Sequence, residues 1–431
     1  MEGQLRSVDS AEARPRLRRP DRQQGLLLPL WVDDLVPADH PVRMVWRLVE
    51  SWNLQQFEAP IAARGSDPGR AATDPRLLVA LWLWALIDGV GSGRELARLC
   101  EESAAYRWLC GGVQLNYHTL NDFRVSSEVA LDELLTRMLA ALTRARLVQV
   151  KRIVQDGTRV RASAGSKSFK RRSSLERHLA HAHAHLTAVK QQALDPTTRV
   201  KAQRSQERAT IDRIRRLEQA LVEVEKIEAA KALQKKKPSK ERPARASTTD
   251  PEARLMRMPD GGTRPAYNVQ IAVDPASRAI VGVDVTHAGS DVGESEPMRR
   301  QVEARSGQRV EEQVVDGGYV GLDAIEAASS EGVQMFAPLP KSKKEDTDPH
   351  QPKSGDGPGV AAWRARMSTP EAQEIYGTRA SSVERIHADL KTHRGVDHIP
   401  VRGLHKARCV ALWFALAYNL KLFGDLLTVM T

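Results

Sequence analysis

Three acidic residues stand where a carboxylate does little for a fold. Asp156 closes the apolar run VKRIVQ in QDGTRV, and Asp316 closes another in EQVVDGGYV. Glu384 opens an amphipathic helical stretch in SSVERIHADLK. Two aspartates at strand exits of one sheet, joined by a helix-borne glutamate, can gather hard oxygen ligands for two Mg²⁺ or Mn²⁺ ions. Such a pair of ions activates a hydroxyl and stabilises the leaving oxygen in phosphodiester transfer. Each residue alone also suits ordinary structure, because Asp-Gly is common turn chemistry and glutamate in a first helical turn is a common cap.

Hydrophobic periodicity names the elements that must position them. Residues 1–25 read as a loose arm and 26–147 as an all-helical domain, with helix starts at Pro41, at Thr73-Asp74-Pro75, at Ser92 and at Thr119. The run from Arg76 to Ile87 is apolar all round, which predicts a central helix with Trp82 and Trp84 in the core. From Val150 to Gln155 the period changes to that of a buried strand. Strands at 267–274 and 280–286 flank Pro275-Ala276-Ser277-Arg278 as a hairpin, and 309–315 and 333–336 are further strands, with helices at 294–305 and 322–330 between them. Three strands, a helix, a strand, a helix and a strand make a mixed five-stranded α/β sheet over 148–164 and 247–431.

Residues 165–246 interrupt that sheet with a helical insertion. Leu175, Leu179, Ala182, Leu186 and Val189 keep one face, and Ile214, Leu217, Leu221 and Val224 keep another, which predicts an antiparallel helical hairpin ending in the flexible Lys/Pro-rich stretch KALQKKKPSKERPARAST. This insertion holds 21 Lys/Arg and 9 Asp/Glu, so its excess of 12 accounts for the whole net charge of +11 on the 431-residue chain. A pI near 9.6 points to a polyanionic partner. The hairpin suits either phosphate contacts along DNA or self-association as a solvated coiled coil. His178, His181 and His185 border its apolar stripe with no carboxylate interleaved, so no zinc site is expected there. Cys100, Cys110 and Cys409 are an odd set without CxxC spacing, which excludes a disulfide scaffold and suits a reducing cytoplasm. The start of the chain has no apolar signal core, and the runs Leu77 to Ile87 and Cys409 to Tyr418 are too short to span a bilayer, so no membrane partner is expected.

The order and wording of these motifs resemble the DDE transposases of bacterial insertion sequences, in the group with a Tyr-Arg-Glu-Lys signature around the catalytic glutamate. Here the signature reads Tyr376, Arg379, Glu384 and Lys391 in YGTRASSVERIHADLK. Collinear with it are DHPVR, TDPRLL, GSGRELAR, YRWLCG, HTLNDFR, DGTRVRASAG, TDPEARLMRMPDGGTRPAYNVQIAVD, DGGYV and RGLHKAR, covering nearly the whole chain. The resemblance implies an RNase H-like catalytic core with Asp156 on its first strand, Asp316 on its fourth and Glu384 on a late helix, together binding two Mg²⁺ or Mn²⁺ ions. It implies cleavage at the ends of a mobile element, joining of the released 3′-hydroxyl to target DNA, and a homodimer on DNA. Tyr376, Arg379 and Lys391 would contact the strand near the scissile phosphate. Four residues separate Arg379 from Glu384, one more than in the signature's best-known members.

Relatives often carry a β-rich insertion before the glutamate helix, but the 67 residues between Asp316 and Glu384 leave no room for one here. Recognition of the element's ends falls to the N-terminal helices, with Ser92 to Cys100 and Thr119 to Arg124 as recognition elements and Arg94 and Arg124 as DNA contacts. The same arginines equally suit ion pairs within the helical domain. Two other functions use the same residues: a DNA-binding derivative that no longer cuts, and a metal-dependent nuclease without strand transfer.

Overall fold

The computed structural model describes residues 31–64, 71–192, 200–233, 243–340 and 348–430. The expected arm at 1–25 and half of the Lys/Pro-rich stretch, 234–242, lie outside the described residues. The N-terminal region is helical, as its caps require. Helices α1 (Pro41–Ser51), α2 (Gln55–Glu58), α3 (Pro75–Ile87), α4 (Gly93–Glu102), α5 (Ala104–Cys110), α6 (Tyr117–Arg124) and α7 (Glu128–Arg144) follow in order, with short turns between those from α3 onward. The Asp74 carboxylate accepts from Arg76 N at 2.8 Å, Pro75 supplies the first position, and α3 then buries eleven of its thirteen residues, Trp82 and Trp84 among them. The helix expected to start at Thr119 starts at Tyr117 under its Asn116 cap and ends at Arg124, and a second begins after the Ser127 cap.

Eight strands follow: β1 (Arg152–Arg161), β2 (Phe169–Lys170), β3 (Ala246–Ser247), β4 (Arg254–Arg257), β5 (Thr263–Val273), β6 (Ile280–Thr286), β7 (Glu312–Val314) and β8 (Gln334–Phe336). The main sheet has six of them where five were expected. Its order is β4-β5-β1-β7-β8, with β6 also paired to β5. The added strand is β4, whose Arg254 to Arg257 pair with Ala266 to Thr263 at the start of a β5 longer than its apolar pattern indicates. Central β1 runs antiparallel to β5 from Val154↔Val273 to Arg161↔Ala266, and parallel to β7 through Val154↔Val314. Helices α10 (Ser295–Ser306) and α11 (Leu322–Ser330) fill the crossovers among β6, β7 and β8, as expected from the spacing.

The insertion folds as the hairpin its pattern predicts, from α8 (Arg172–Gln192) and α9 (Val200–Ala232). Contacts at both ends show that the helices run antiparallel: Gln203 Nε2 donates to Val189 O at 3.1 Å, and Arg172 pairs with Glu228 at 2.8 Å. Leu175, Ala182, Ile214, Leu217, Ala220 and Val224 give it a small core of its own, and the β2–β3 ladder closes its base.

After α12 (Pro358–Arg366), one continuous helical run carries α13 (Pro370–Arg379), a π-helical turn at Ala380–Glu384, α14 (Arg385–Ala388) and a second π turn at Asp389–His393. The last helix, α15 (Leu404–Met430), corrects the reading of Cys409 to Tyr418 as a short apolar run. Its Leu404–Thr428 stretch is the one helix among the described residues long and apolar enough to cross a membrane, yet 72% of its most apolar window is buried inside the protein. Trp413 Nε1 donates to Arg124 O at 3.0 Å and Asn419 bonds the backbone of Ile280 in β6 at 2.9 Å, so α15 ties the N-terminal helices and the sheet into one apolar core.

Candidate active site

The two aspartates come together through parallel strand pairing. Val154 of β1 stands opposite Val314 of β7, and two residues further along each chain come Asp156 and Asp316. β7 stops at Val314, and Asp316 caps the turn Gly317–Tyr319, its Oδ1 accepting from Gly318 N at 2.7 Å. β1 does not stop at Asp156. The Asp-Gly pair that reads as a strand exit is held in the sheet by β5, with Asp156 opposite Ile271 and Gly157 opposite Gln270. Asp156 is thus a mid-strand carboxylate, 15% exposed, beside an edge that β7 has vacated.

Alternation along β1 turns Asp156 and Thr158 toward the helical run 370–393. Asp156 Oδ2 accepts from Arg379 Nη1 at 3.0 Å, and Arg379 Nη2 lies 3.5 Å from Glu384 Oε1. The guanidinium therefore stands between two of the three expected catalytic carboxylates. Glu384 is 61% exposed on the outer side of this bridge. Among the described residues no group of three His, Cys, Asp or Glu side chains converges tightly enough to hold a metal ion. Lys391 Nζ donates to Thr158 Oγ1, and Tyr376 is half-buried against the core beside Arg379.

Burial makes this face electrostatically costly. It pushes the Asp156 carboxyl up to about 6; Arg379 pulls it back down and Asp316 adds to the rise. Burial also pulls Lys391 below the ordinary lysine range, against the attraction of Asp156. His387, whose Nδ1 is 3.9 Å from Asp156 Oδ2, is driven down to about 3 by burial and by the cations Lys391 and Arg379, so it is neutral, and its Nε2 is buried without a partner.

The helix expected to open at Glu384 begins instead at Pro370, and its π turn has a geometric consequence. Residues five apart on an α-helix point about 140° from each other. The wide i→i+5 turn over Ala380–Glu384 absorbs that rotation and puts Arg379 and Glu384 within reach.

The other face of β1 carries groups that the sequence reading missed. Gln155, Gln270 and Gln313 are buried and linked across three strands: Gln313 Nε2 donates to Gln155 Oε1 at 2.8 Å, and Gln155 Nε2 to Gln270 Oε1 at 2.9 Å. Tyr319, three residues past Asp316, donates its hydroxyl to the same Gln270 oxygen. Gln270 Nε2 and Asn268 Nδ2 donate to Asp291 Oδ1 at 2.8 and 2.6 Å. The signal was present in VKRIVQ, YNVQIAVD and EEQVV, each an apolar strand with a buried amide.

The two arginines expected to meet DNA from the N-terminal helices part company. Arg94 lines a groove of about 790 Å³ between α4, α6 and residues 395–406, stacked at 5.0 Å on Tyr117, with His398, Arg402 and Lys406 opposite. Arg124 lines the same groove but is 6% exposed, lies over Trp82 at 4.6 Å and donates to Gly91 O at 2.7 Å, the inward bonding that the sequence set beside a DNA contact.

Two family models match the chain. Residues 31–126 match a Transposase domain (DUF772), and residues 359–423 match a Transposase DDE domain. Both matched segments are thus transposase domains, the second of them a DDE domain. No curated protein and no solved structure matches it. The DDE match takes in Tyr376, Arg379, Glu384 and Lys391, and the family makes this transposase a phosphodiester-transferring enzyme that acts on DNA and depends on divalent metal. Asp156 and Asp316 fall between the matched segments, so their assignment rests on sheet geometry.

Proposed function

We propose that this transposase cuts DNA at the ends of an insertion sequence and joins the freed 3′-hydroxyl to target DNA, with Asp156, Asp316 and Glu384 as its catalytic carboxylates. The sheet order supports an RNase H-like core, with three antiparallel strands, β6, β5 and β1, continued by β7 and β8 parallel to β1. One observation carries the reading: Asp156 and Asp316 each come two residues after the paired Val154 and Val314 of parallel strands, and a single guanidinium links Asp156 to Glu384.

The donor set fits two divalent ions. Hard carboxylate oxygens suit Mg²⁺ or Mn²⁺, and Asp156 is a buried carboxylate that one arginine leaves under-compensated. When bound, the two ions would activate the attacking hydroxyl and neutralise the leaving oxygen. Asp156 in the sheet and Asp316 in the turn after β7 would hold the ions, with Glu384 from the helix as third ligand once Arg379 turns from Asp156 to a DNA phosphate. Lys391, at Thr158, offers a second cation to the same strand. Tyr376 packs beside Arg379 and limits its swing. Arg94 and the groove around it are placed to follow DNA further from the chemistry, and residues 26–147 would recognise the element's ends. A homodimer on DNA, acting in the cytoplasm, would bring two ends together.

The test is cleavage of an end-containing duplex in Mg²⁺ by Asp156→Ala, Asp316→Ala and Glu384→Ala. Each is expected to lose cleavage by at least about a thousandfold while gel-shift affinity for the duplex stays within a few-fold. Wild-type cleavage by any of the three removes that residue from the catalytic set.

A further inference from the structure

The helical hairpin of α8 and α9 takes no part in the site described above, yet its charge is sorted along its length. From Ala202 to Arg216, α9 carries Arg204, Arg208, Arg213, Arg215 and Arg216 against Glu207 and Asp212. From Leu217 to Ala232 the balance reverses, with Glu218, Glu223, Glu225 and Glu228 against Lys226 and Lys231. The part of α8 from His181 to Gln192 has Lys190 and no acidic residue. Gln203 bonds Val189, and Thr210 Oγ1 lies 3.2 Å from His185 Nδ1, so the two acid-poor segments pack together at the end of the hairpin away from the β2–β3 ladder.

The two halves also differ in what their charges meet. At the base, Glu225 and Glu228 bind Arg172, and Glu223, 3% exposed, is held by Lys226 and by Arg254 of edge strand β4. The hairpin is thereby fixed to the sheet. In the distal half Arg204, Arg208, Arg213 and Arg215 are exposed. Among the described residues, Arg215 alone of the five distal arginines has a carboxylate within ion-pair reach, Asp212 at 3.8 Å. Arg204, Arg208 and Arg215 fall within about 40° of one another on an α-helix and spread over about 16 Å of its length, so they form one stripe.

The apolar residues leave little for a second copy to cover. Leu175, Ala182, Ile214, Leu217, Ala220 and Val224 close a core within the hairpin, and its exposed large apolar residues among those described, Val222 and Leu233, both lie in the base half. Three of the four base glutamates that could meet the stripe of another copy are already paired, and stripe against stripe would repel. A polyanion is the complementary partner. We propose that the distal half of the hairpin is a DNA-backbone contact in which Arg204, Arg208 and Arg215 neutralise phosphates of the bound duplex. This role rests on the reading of the chain as a DNA-cutting transposase and concerns affinity, not the cut. Phosphate contacts position a duplex without reading its sequence.

The test is the salt dependence of DNA binding by the full-length protein, followed by fluorescence anisotropy with two mixed-sequence duplexes unrelated to each other. Each phosphate neutralised adds about 0.9 to the slope of log affinity against log salt, so the triple variant Arg204→Gln, Arg208→Gln, Arg215→Gln is expected to lower that slope by about two to three on both duplexes. Glutamine matches arginine closely in helix preference, so the thermal midpoint is expected to stay at the wild-type value. Arg213→Gln, about 160° around the helix from the stripe, is expected to leave the slope unchanged. An unchanged slope in the triple variant would overturn the proposal, and a smaller sedimenting species in that variant would assign the stripe to a second copy instead. A loss per charge in Arg213→Gln equal to that of the stripe would overturn it as well, since bulk charge would then set the affinity. Either failure leaves Asp156, Asp316 and Glu384 standing, because their test reads cleavage; a wild-type protein that binds neither duplex would overturn both readings.

Discussion

The two faces of β1 treat polar groups in opposite ways. On the face toward residues 370–393, charged groups are buried with too few partners: Asp156 has one guanidinium, His387 Nε2 has none, and Lys391 reaches only a hydroxyl. On the other face the buried groups are mainly neutral amides, and Gln155, Gln270 and Gln313 satisfy one another across the strands. The first face is covered by a helix with two π turns, a form concentrated at functional sites, and the second by strands in register. On the proposed mechanism Arg379 leaves Asp156 when metal and DNA bind, and the under-partnered face suits that rearrangement. The amide face, tied across three strands, is built to stay.

Breaking the fixed face carries the largest stability effect. Gln270→Leu removes the acceptor of the Tyr319 hydroxyl and of Gln155 Nε2, and a donor to Asp291. Each buried group left unsatisfied costs about 1–3 kcal/mol, so a loss of roughly 3–5 kcal/mol is expected in urea unfolding. Arg379→Gln, on the opposite face, is expected to cost no more than about 2 kcal/mol in the same assay. Equal costs would erase the distinction between the faces.

Asp156 sharpens the contrast through pH. Its folded pKa of about 6 exceeds the ordinary value of 3.8, so the folded chain binds more protons than the unfolded chain between those values. The contribution of this group to stability is therefore greatest below pH 4 and declines as pH rises to about 6. Asp156→Asn is expected to flatten that decline and to make the metal-free protein more stable at pH 7 by on the order of 1–3 kcal/mol. A variant less stable than wild type at pH 7, with the pH slope retained, would mean that Arg379 fully compensates the charge.

The same contrast explains what could be read from the sequence. The capped helices, the order of strands and helices, and the helical hairpin are local or periodic signals, and they were legible. Asp156 and Asp316 were legible because each interrupts an apolar run. The continuation of β1 to Arg161 was not, since DGTR has turn composition and only its pairing with β5 keeps it extended. β4 is four residues with an arginine at each end and has no periodic signature. Arg124 looked like a surface cation because burial under Trp82 is a tertiary fact. Asp291 was hidden for the same reason: its burial and its bonds to Asn268 and Gln270 are tertiary facts.

The π turn offers the finest test of the rearranging face. Ser381 is exposed within Ala380–Glu384, whereas Ser382 and Val383 are buried. Deleting Ser381 brings Arg379 and Glu384 to an i,i+4 spacing, at which an ordinary α-helical turn places them on one face. If the π turn serves to absorb one extra residue, the deletion preserves the bridge from Asp156 through Arg379 to Glu384. Cleavage of an end-containing duplex should then stay within about tenfold of wild type, with stability changed by less than about 1 kcal/mol. A loss as deep as that of Glu384→Ala in a folded protein would show instead that Glu384 must travel along the helix during the reaction, and that the wide turn is the hinge that permits it.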